Sequence, residues 1–90
     1  MEIIEYRTYR EEDILPLYAS VGWTAYTDAP DALRRGFEKS LLTLAAYEGK
    51  TLVGLARAVG DGETVVLVQD LLVFPQYQRL GVGTALLRAV

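Results

Sequence analysis

The sequence predicts a small mixed α/β domain of the α+β type, with a mostly antiparallel sheet and elements in the order β-α-α-β-β-β-α. Three observations carry that expectation. Residues 41–74 hold three apolar runs separated by Glu48-Gly49-Lys50 and Asp61-Gly62. Tight-turn signals between apolar runs are the pattern of an antiparallel meander. Two earlier stretches, 11–23 and 28–40, have helical character. After the third run, Pro75 and the glycines Gly81 and Gly83 lead into a last apolar stretch that reads as a helix.

Each element has a local reason. "EIIEY" at 2–6 is short and apolar-rich, a strand candidate. In "EEDILPLYASVGW" the acidic residues crowd the start, where the helix dipole favours them. Ile14, Leu17, Tyr18 and Val21 follow at helical spacing, and Gly22 is a natural stop. Pro16 fits this helix only if it falls in the first turn. "DAPDALRRGFEKS" reads as a second helix, with Asp28 or Asp31 as its cap and Pro30 near its first turn. The third meander strand is expected over 64–74. Its valines and leucines fall at both parities, so both faces should be covered. Ala85, Leu86, Ala89 and Val90 are expected to form the buried stripe of the last helix.

Composition narrows the function classes. The chain has 90 residues, 51% hydrophobic and 23% charged, with a net charge of −3. That is the composition of one small globular domain. No basic run or stripe points to nucleic acid or an anionic membrane surface. No apolar segment approaches the roughly 18 residues needed to span a bilayer. "MEIIEYR" lacks the pattern of a signal peptide, so a cytoplasmic location is expected. Cysteine and histidine are absent. Disulfides, thiolate nucleophiles, common zinc sites and a histidine base are therefore excluded, and no metal is expected.

The loop "PQYQRLGVGT" carries the most chemistry. The first backbone N–H groups of a helix lack intrahelical partners, and the dipole makes that end positive. Glycines allow close approach to those groups, and Gln78 and Arg79 add side-chain donors. Together they suit a phosphate or pyrophosphate. A Walker loop would need lysine and then serine or threonine after its last glycine, whereas Gly83 is followed by Thr84-Ala85. A dinucleotide fingerprint would need glycine where Leu86 stands, inside a βαβ unit. "QRLGVG", from Gln78 to Gly83, fits the remaining pattern of Gln or Arg, two residues, then glycine-x-glycine or alanine. The bland alternatives are a tight turn with close helix packing at the glycines and a solvated loop arginine at Arg79.

With that loop, "VQDLLVFPQYQRLGVGTALL" resembles the central strand and pyrophosphate loop of the GCN5-related N-acetyltransferases (the GNAT family). "YEGKTLVGLARAV" resembles the strands before it, and two helices after the first strand also fit. The resemblance implies acetyl-CoA as cosubstrate, a primary amine as acceptor and N-acetyl transfer. It implies coenzyme contacts from Gln78, Arg79, Leu80, Gly81, Val82, Gly83 and Thr84. Backbone groups of Leu71, Leu72 and Val73 would pair with the pantetheine arm, like an added strand. Trp23 and Tyr26 would form part of the acceptor wall, with Tyr18 beside them as a packing residue. The resemblance also implies further strands and a helix beyond Val90. Residues 1–90 are thus expected to be one GNAT domain incomplete at its C-terminus, with impaired catalysis and an exposed edge favouring a homodimer or higher oligomer. A non-catalytic, coenzyme-binding or self-assembling module is the alternative.

Asp70 is the expected general base, a lone carboxylate within "VVLVQDLLVF". A carboxylate in apolar surroundings suits a base working near neutral pH. A two-residue Asp61-Gly62 turn would set Arg57 opposite Val66 and Val53 opposite Asp70, leaving the carboxylate without an arginine. A base placed deeper in the strand would fall on Leu67, which cannot serve. The alternative for Asp70 is a structural carboxylate bound to backbone or tyrosine.

Overall fold

A computed structural model describes the backbone of Met1–Val90 and every side chain but that of Thr24. The elements are β1 (Glu2–Glu5), α1 (Glu11–Ser20), α2 (Thr24–Thr27), α3 (Pro30–Glu38), β2 (Leu42–Glu48), β3 (Thr51–Gly60), β4 (Val66–Val73), a 3-10 turn (Pro75–Tyr77) and α4 (Val82–Ala89). The strands form one antiparallel sheet in the order β1-β2-β3-β4. The expected architecture is present, with the one-turn α2 added between the two longer helices.

Strand alternation sorts the core onto two faces. On one, Ala45, Leu55 and Leu72 pack against Ile14, Leu17 and Tyr18 of α1 and Leu33 and Phe37 of α3. On the other, Leu44, Ala46, Val53 and Ala56 pack against Val82 and Leu86 of α4. Fully burying a side chain such as Leu55 or Leu86 contributes roughly 1.5–3 kcal/mol, and these layers fix the helices on the sheet. At Gly54 a Cβ would lie 2.9 Å from Val82 Cγ1 and 3.0 Å from the Leu72 carbonyl, so only glycine lets α4 sit this close. The buried stripe of α4 is therefore Val82 and Leu86, not the four residues expected: Ala89 and Val90 are exposed.

Other local expectations change for physical reasons. Pro16 lies inside α1, past its first turn. It has no N–H to donate. Burial of Ile14, Leu17 and Tyr18 on the turns either side offsets that loss. Neither Asp28 nor Asp31 caps α3; the cap position is Ala29, without a side-chain hydrogen bond. The connection after β3 is five residues long rather than two. Asp61 winds it, accepting from the N–H groups of Glu63 (2.8 Å), Thr64 (2.8 Å) and Val65 (3.0 Å) and from the Thr64 hydroxyl (2.7 Å). These bonds hold the Asp61 carboxyl below its ordinary range, the Val65 N–H having the largest effect and the Thr64 hydroxyl the next. With a bulge at Arg57/Ala58, this loop brings Arg57, not Val53, opposite Asp70. The start of β4 is also uncovered: Val66 and Leu67, with Val65 just before them, are between 54% and 56% exposed.

Candidate functional site

Two neighbouring features of β4 carry the chemistry. The first is a cleft of about 330 Å³ where β4 meets the start of α4, lined by Leu71, Val73, Gln78, Arg79, Gly81, Gly83 and Thr84. Its geometry follows from the loop. Gly81 stands at the α4 N-cap with φ +83°, a left-handed conformation that suits glycine. Arg79 adopts φ +68°, also left-handed. The first intrahelical bond runs from the Ala85 N–H to the Gly81 carbonyl at 3.0 Å. The N–H groups of Val82, Gly83 and Thr84 therefore have no acceptor within the helix. A Cβ at Gly81 would meet nothing within 4 Å, and one at Gly83 would only touch Val73 Cγ2 at 3.8 Å, so the space over these amides is open. Phosphate oxygens suit such donors.

The strand side of this cleft obeys a parity rule. The Phe74 N–H donates to the Val53 carbonyl at 3.0 Å, so Phe74 turns its backbone toward β3. In an antiparallel ladder that direction alternates. Leu71 and Val73 therefore present their backbone groups on the outer edge, where no strand pairs among the described residues. Leu72 does not; its groups face β3 and its side chain is core. Gln78 Nε2 donates to the Val73 carbonyl at 3.1 Å and ties the loop to the strand end. Of the remaining expected coenzyme residues, Val82 buries its side chain against the sheet, which leaves its N–H as the available group. Leu80 points elsewhere, into a neighbouring cavity shared with Met1, Glu48, Tyr77 and Val82.

The second feature is a buried polar network on the opposite face of β4. Asp70 is 1% exposed, and its Oδ2 accepts from the Tyr18 hydroxyl at 2.6 Å and from Arg57 Nε at 2.7 Å. Arg57 Nη1 donates to Ser40 Oγ at 3.3 Å, and that hydroxyl donates to the Gly36 carbonyl at 2.8 Å. Asp70 Oδ1 is buried without a partner. The expectation that no arginine meets Asp70 is thus corrected: the longer loop and the bulge deliver one. Burial raises the Tyr18 hydroxyl well above its ordinary range, and the hydrogen bond to Asp70 raises it further. For Arg57, burial works against the charged form, but the bond and charge of Asp70 outweigh it and hold the guanidinium above its usual value.

The aromatic residues gather around the same network. Tyr18 makes edge contacts with Tyr26 at 5.3 Å, Trp23 at 5.8 Å and Phe37 at 6.2 Å between ring centroids. Trp23 is 36% exposed and Tyr26 half-buried, while Tyr18 is core. The sequence reading missed Arg57 and Ser40 as partners in this network, and offered a tyrosine bound to Asp70 only as its alternative, without naming Tyr18. A signal existed: Arg57 and Asp70 are opposite charges, each alone in an apolar strand run.

The comparisons bear on this geometry. The acetyltransferase (GNAT) family matches over residues 6–90. No curated protein matches the chain. Among solved structures, a GNAT-family acetyltransferase from Streptococcus pneumoniae is 40% identical, with a TM-score of 0.84. The match covers 98% of this chain and 63% of that one, so these residues span under two thirds of that protein's length. A Staphylococcus aureus protein of unknown function, described as a probable acetyltransferase, is 24% identical with a TM-score of 0.77, covering 98% of this chain and 65% of that one. An aminoglycoside 6'-N-acetyltransferase complexed with coenzyme A is 20% identical with a TM-score of 0.85, covering 99% and 52%. The last two are likenesses of fold. Since the family match runs from Tyr6 to the final residue and takes in both β4 and the glycine loop, the chain belongs to the GNAT acetyltransferase family.

Proposed function

We propose that this domain binds acetyl-CoA and serves N-acetyl transfer to a primary amine. The observation that carries the reading is one cleft, lined together by the outer edge of β4, Gln78, Arg79, Gly81, Gly83 and Thr84. The N–H groups of Val82, Gly83 and Thr84 would hold the pyrophosphate, with Arg79 as a cationic partner. The outward backbone groups of Leu71 and Val73 would pair with the pantetheine amides, as a strand pairs with an added strand. The thioester supplies an activated acyl carbon when bound.

Asp70 takes a different part from the one first expected. A base must reach the proton that it removes. Asp70 is enclosed, and its Oδ2 is shared by Tyr18 and Arg57. We assign it a positioning role: it anchors Tyr18, which in turn carries Trp23 and Tyr26 on its ring. Those two aromatics would form one wall for the amine. Turnover by residues 1–90 alone should be weak or absent. Well-oriented reactants gain roughly 7–11 kcal/mol over free ones, and here the outer edge of β4 has no covering strand among the described residues.

Calorimetric titration with coenzyme A tests the reading. Saturable binding is expected, and Gly83→Val should weaken it by about tenfold or more by filling the space over the helix amides. Gly83 is the informative position because its backbone conformation is open to any residue, so the substitution changes access rather than strain. Unchanged affinity would remove the cleft as the coenzyme site. A self-assembling module is the second reading, favoured by the exposed Val66 and Leu67 on an edge strand and Val65 just before it. Light scattering should then show a dimer or larger species. A strict monomer would end that reading and leave the first intact.

A further inference from the structure

A separate cavity of about 300 Å³ lies between α2, α3 and β3. Tyr26, Ala29, Leu33 and Gly36 supply an apolar wall, and Arg57 is its single charged residue. It shares no lining residue with the cleft at α4. Arg57 is 8% exposed in its side chain, so its guanidinium is largely removed from water. A guanidinium has five N–H donors. Nε is committed to Asp70 at 2.7 Å and Nη1 to Ser40 at a long 3.3 Å. Asp70, Ser40 and the neighbouring Tyr18 hydroxyl thus take up part of this donor set, and the rest of the guanidinium is what Arg57 brings to the cavity wall. Donors left over on a largely buried guanidinium favour a ligand oxygen.

We propose that this cavity binds a small neutral carbonyl compound, an amide or ester oxygen on an apolar body about the size of one aromatic ring. Size, polarity and charge decide the class. The volume lies at the small end of ligand pockets, and the small residues Ala29 and Gly36 keep it open. Tyr26 and Leu33 offer apolar surface to the body. Arg57 offers donors and no acceptor, which excludes an ammonium. Asp70 already neutralises Arg57, so a carboxylate would leave one uncompensated negative charge in a dry site, whereas a neutral carbonyl leaves none. The proposal does not depend on acetyl transfer.

Benzamide, benzoate and benzylamine titrated into the 90-residue chain, read by heteronuclear NMR, test it. Benzamide should shift the Arg57 Nε–H signal and the amides of 25–36, and should bind about tenfold or more tightly than the other two, since only it satisfies the donors without adding charge. Gly36→Ala should weaken benzamide by a similar factor. Its Cβ would sit 3.2 Å from Arg57 Nη1, while alanine favours the helix and keeps the fold. Ala29→Leu, on the same wall, is the second variant and should also block binding. The proposal is overturned if benzoate or benzylamine matches benzamide, if the shifts fall outside these residues, if no saturable shift occurs, or if both variants bind benzamide normally.

Discussion

At the residue scale, the Arg57–Asp70 pair is the most consequential contact in the molecule. The two side chains are 8% and 1% exposed and meet at 2.7 Å. Removing one member of a buried pair strands the other charge, and costs about 3–5 kcal/mol. Asp70→Asn should therefore lower the stability of this small domain by about that amount, read by urea denaturation. Replacing both residues together by apolar ones should cost much less than the single change. A double-mutant cost equal to the sum of the two single costs would mean that the charges act independently. Tyr18→Phe keeps the ring contacts and loses only the hydroxyl bond to Asp70, for about 1.5–3 kcal/mol. Tyr18 also sets a pH dependence. Burial, then the hydrogen bond to Asp70, raises its folded-state value above the ordinary tyrosine value of 10.0. Burial likewise raises Tyr6, Tyr9 and Tyr47. For a group raised on folding, the stabilisation is complete below the unfolded value and is lost as pH rises toward the folded one. Stability should hold up to about pH 10 and then fall, and Tyr18→Phe should flatten that fall. A wild-type curve flat through the alkaline range would contradict the burial of these phenols.

At the element scale, periodicity located nearly everything and local chemistry set the exceptions. The meander was legible because glycine turns interrupt strongly apolar runs, and Gly49-Lys50 does form the two-residue turn between β2 and β3. The second connection was misjudged because Asp61 is not merely a turn residue: its carboxylate gathers four donors and winds a longer loop. Sequence pattern carries no sign of the Arg57/Ala58 bulge, which completes the change of register. That combination moved Arg57 across to Asp70, so the local error at one loop became an error about the site. Asp61→Ala should consequently loosen this loop and raise hydrogen exchange at Glu63, Thr64 and Val65 while leaving the β2–β3 turn protected. Exchange unchanged in this loop would show that the Asp61 carboxylate does not hold it. Parity also refined the expected coenzyme strand, since only alternate residues of an edge strand face outward. Leu71 and Val73 keep their place at the cleft and Leu72 moves to the core.

At the scale of the whole molecule, the fold separates two jobs on the two faces of one edge strand. Side chains of Leu71 and Val73 line the cleft at α4, while Asp70 and Leu72 point into the layer under α1 and α3. The shape of the glycine loop was legible in the sequence because its logic is backbone logic: N–H groups at a helix start, a left-handed glycine and open space above them. The buried network was not, since it depends on side chains brought together from α1, β3 and β4 by register and packing. The central claim is that the N–H groups of Val82, Gly83 and Thr84 hold the coenzyme's pyrophosphate. Mapping amide shifts while coenzyme A is titrated into the chain tests it most directly. The largest shifts should fall on Val82, Gly83 and Thr84, with smaller ones on Leu71 and Val73. Shifts absent there, or centred instead on the cleft formed by Glu12, Asp13 and Lys50, would contradict the claim.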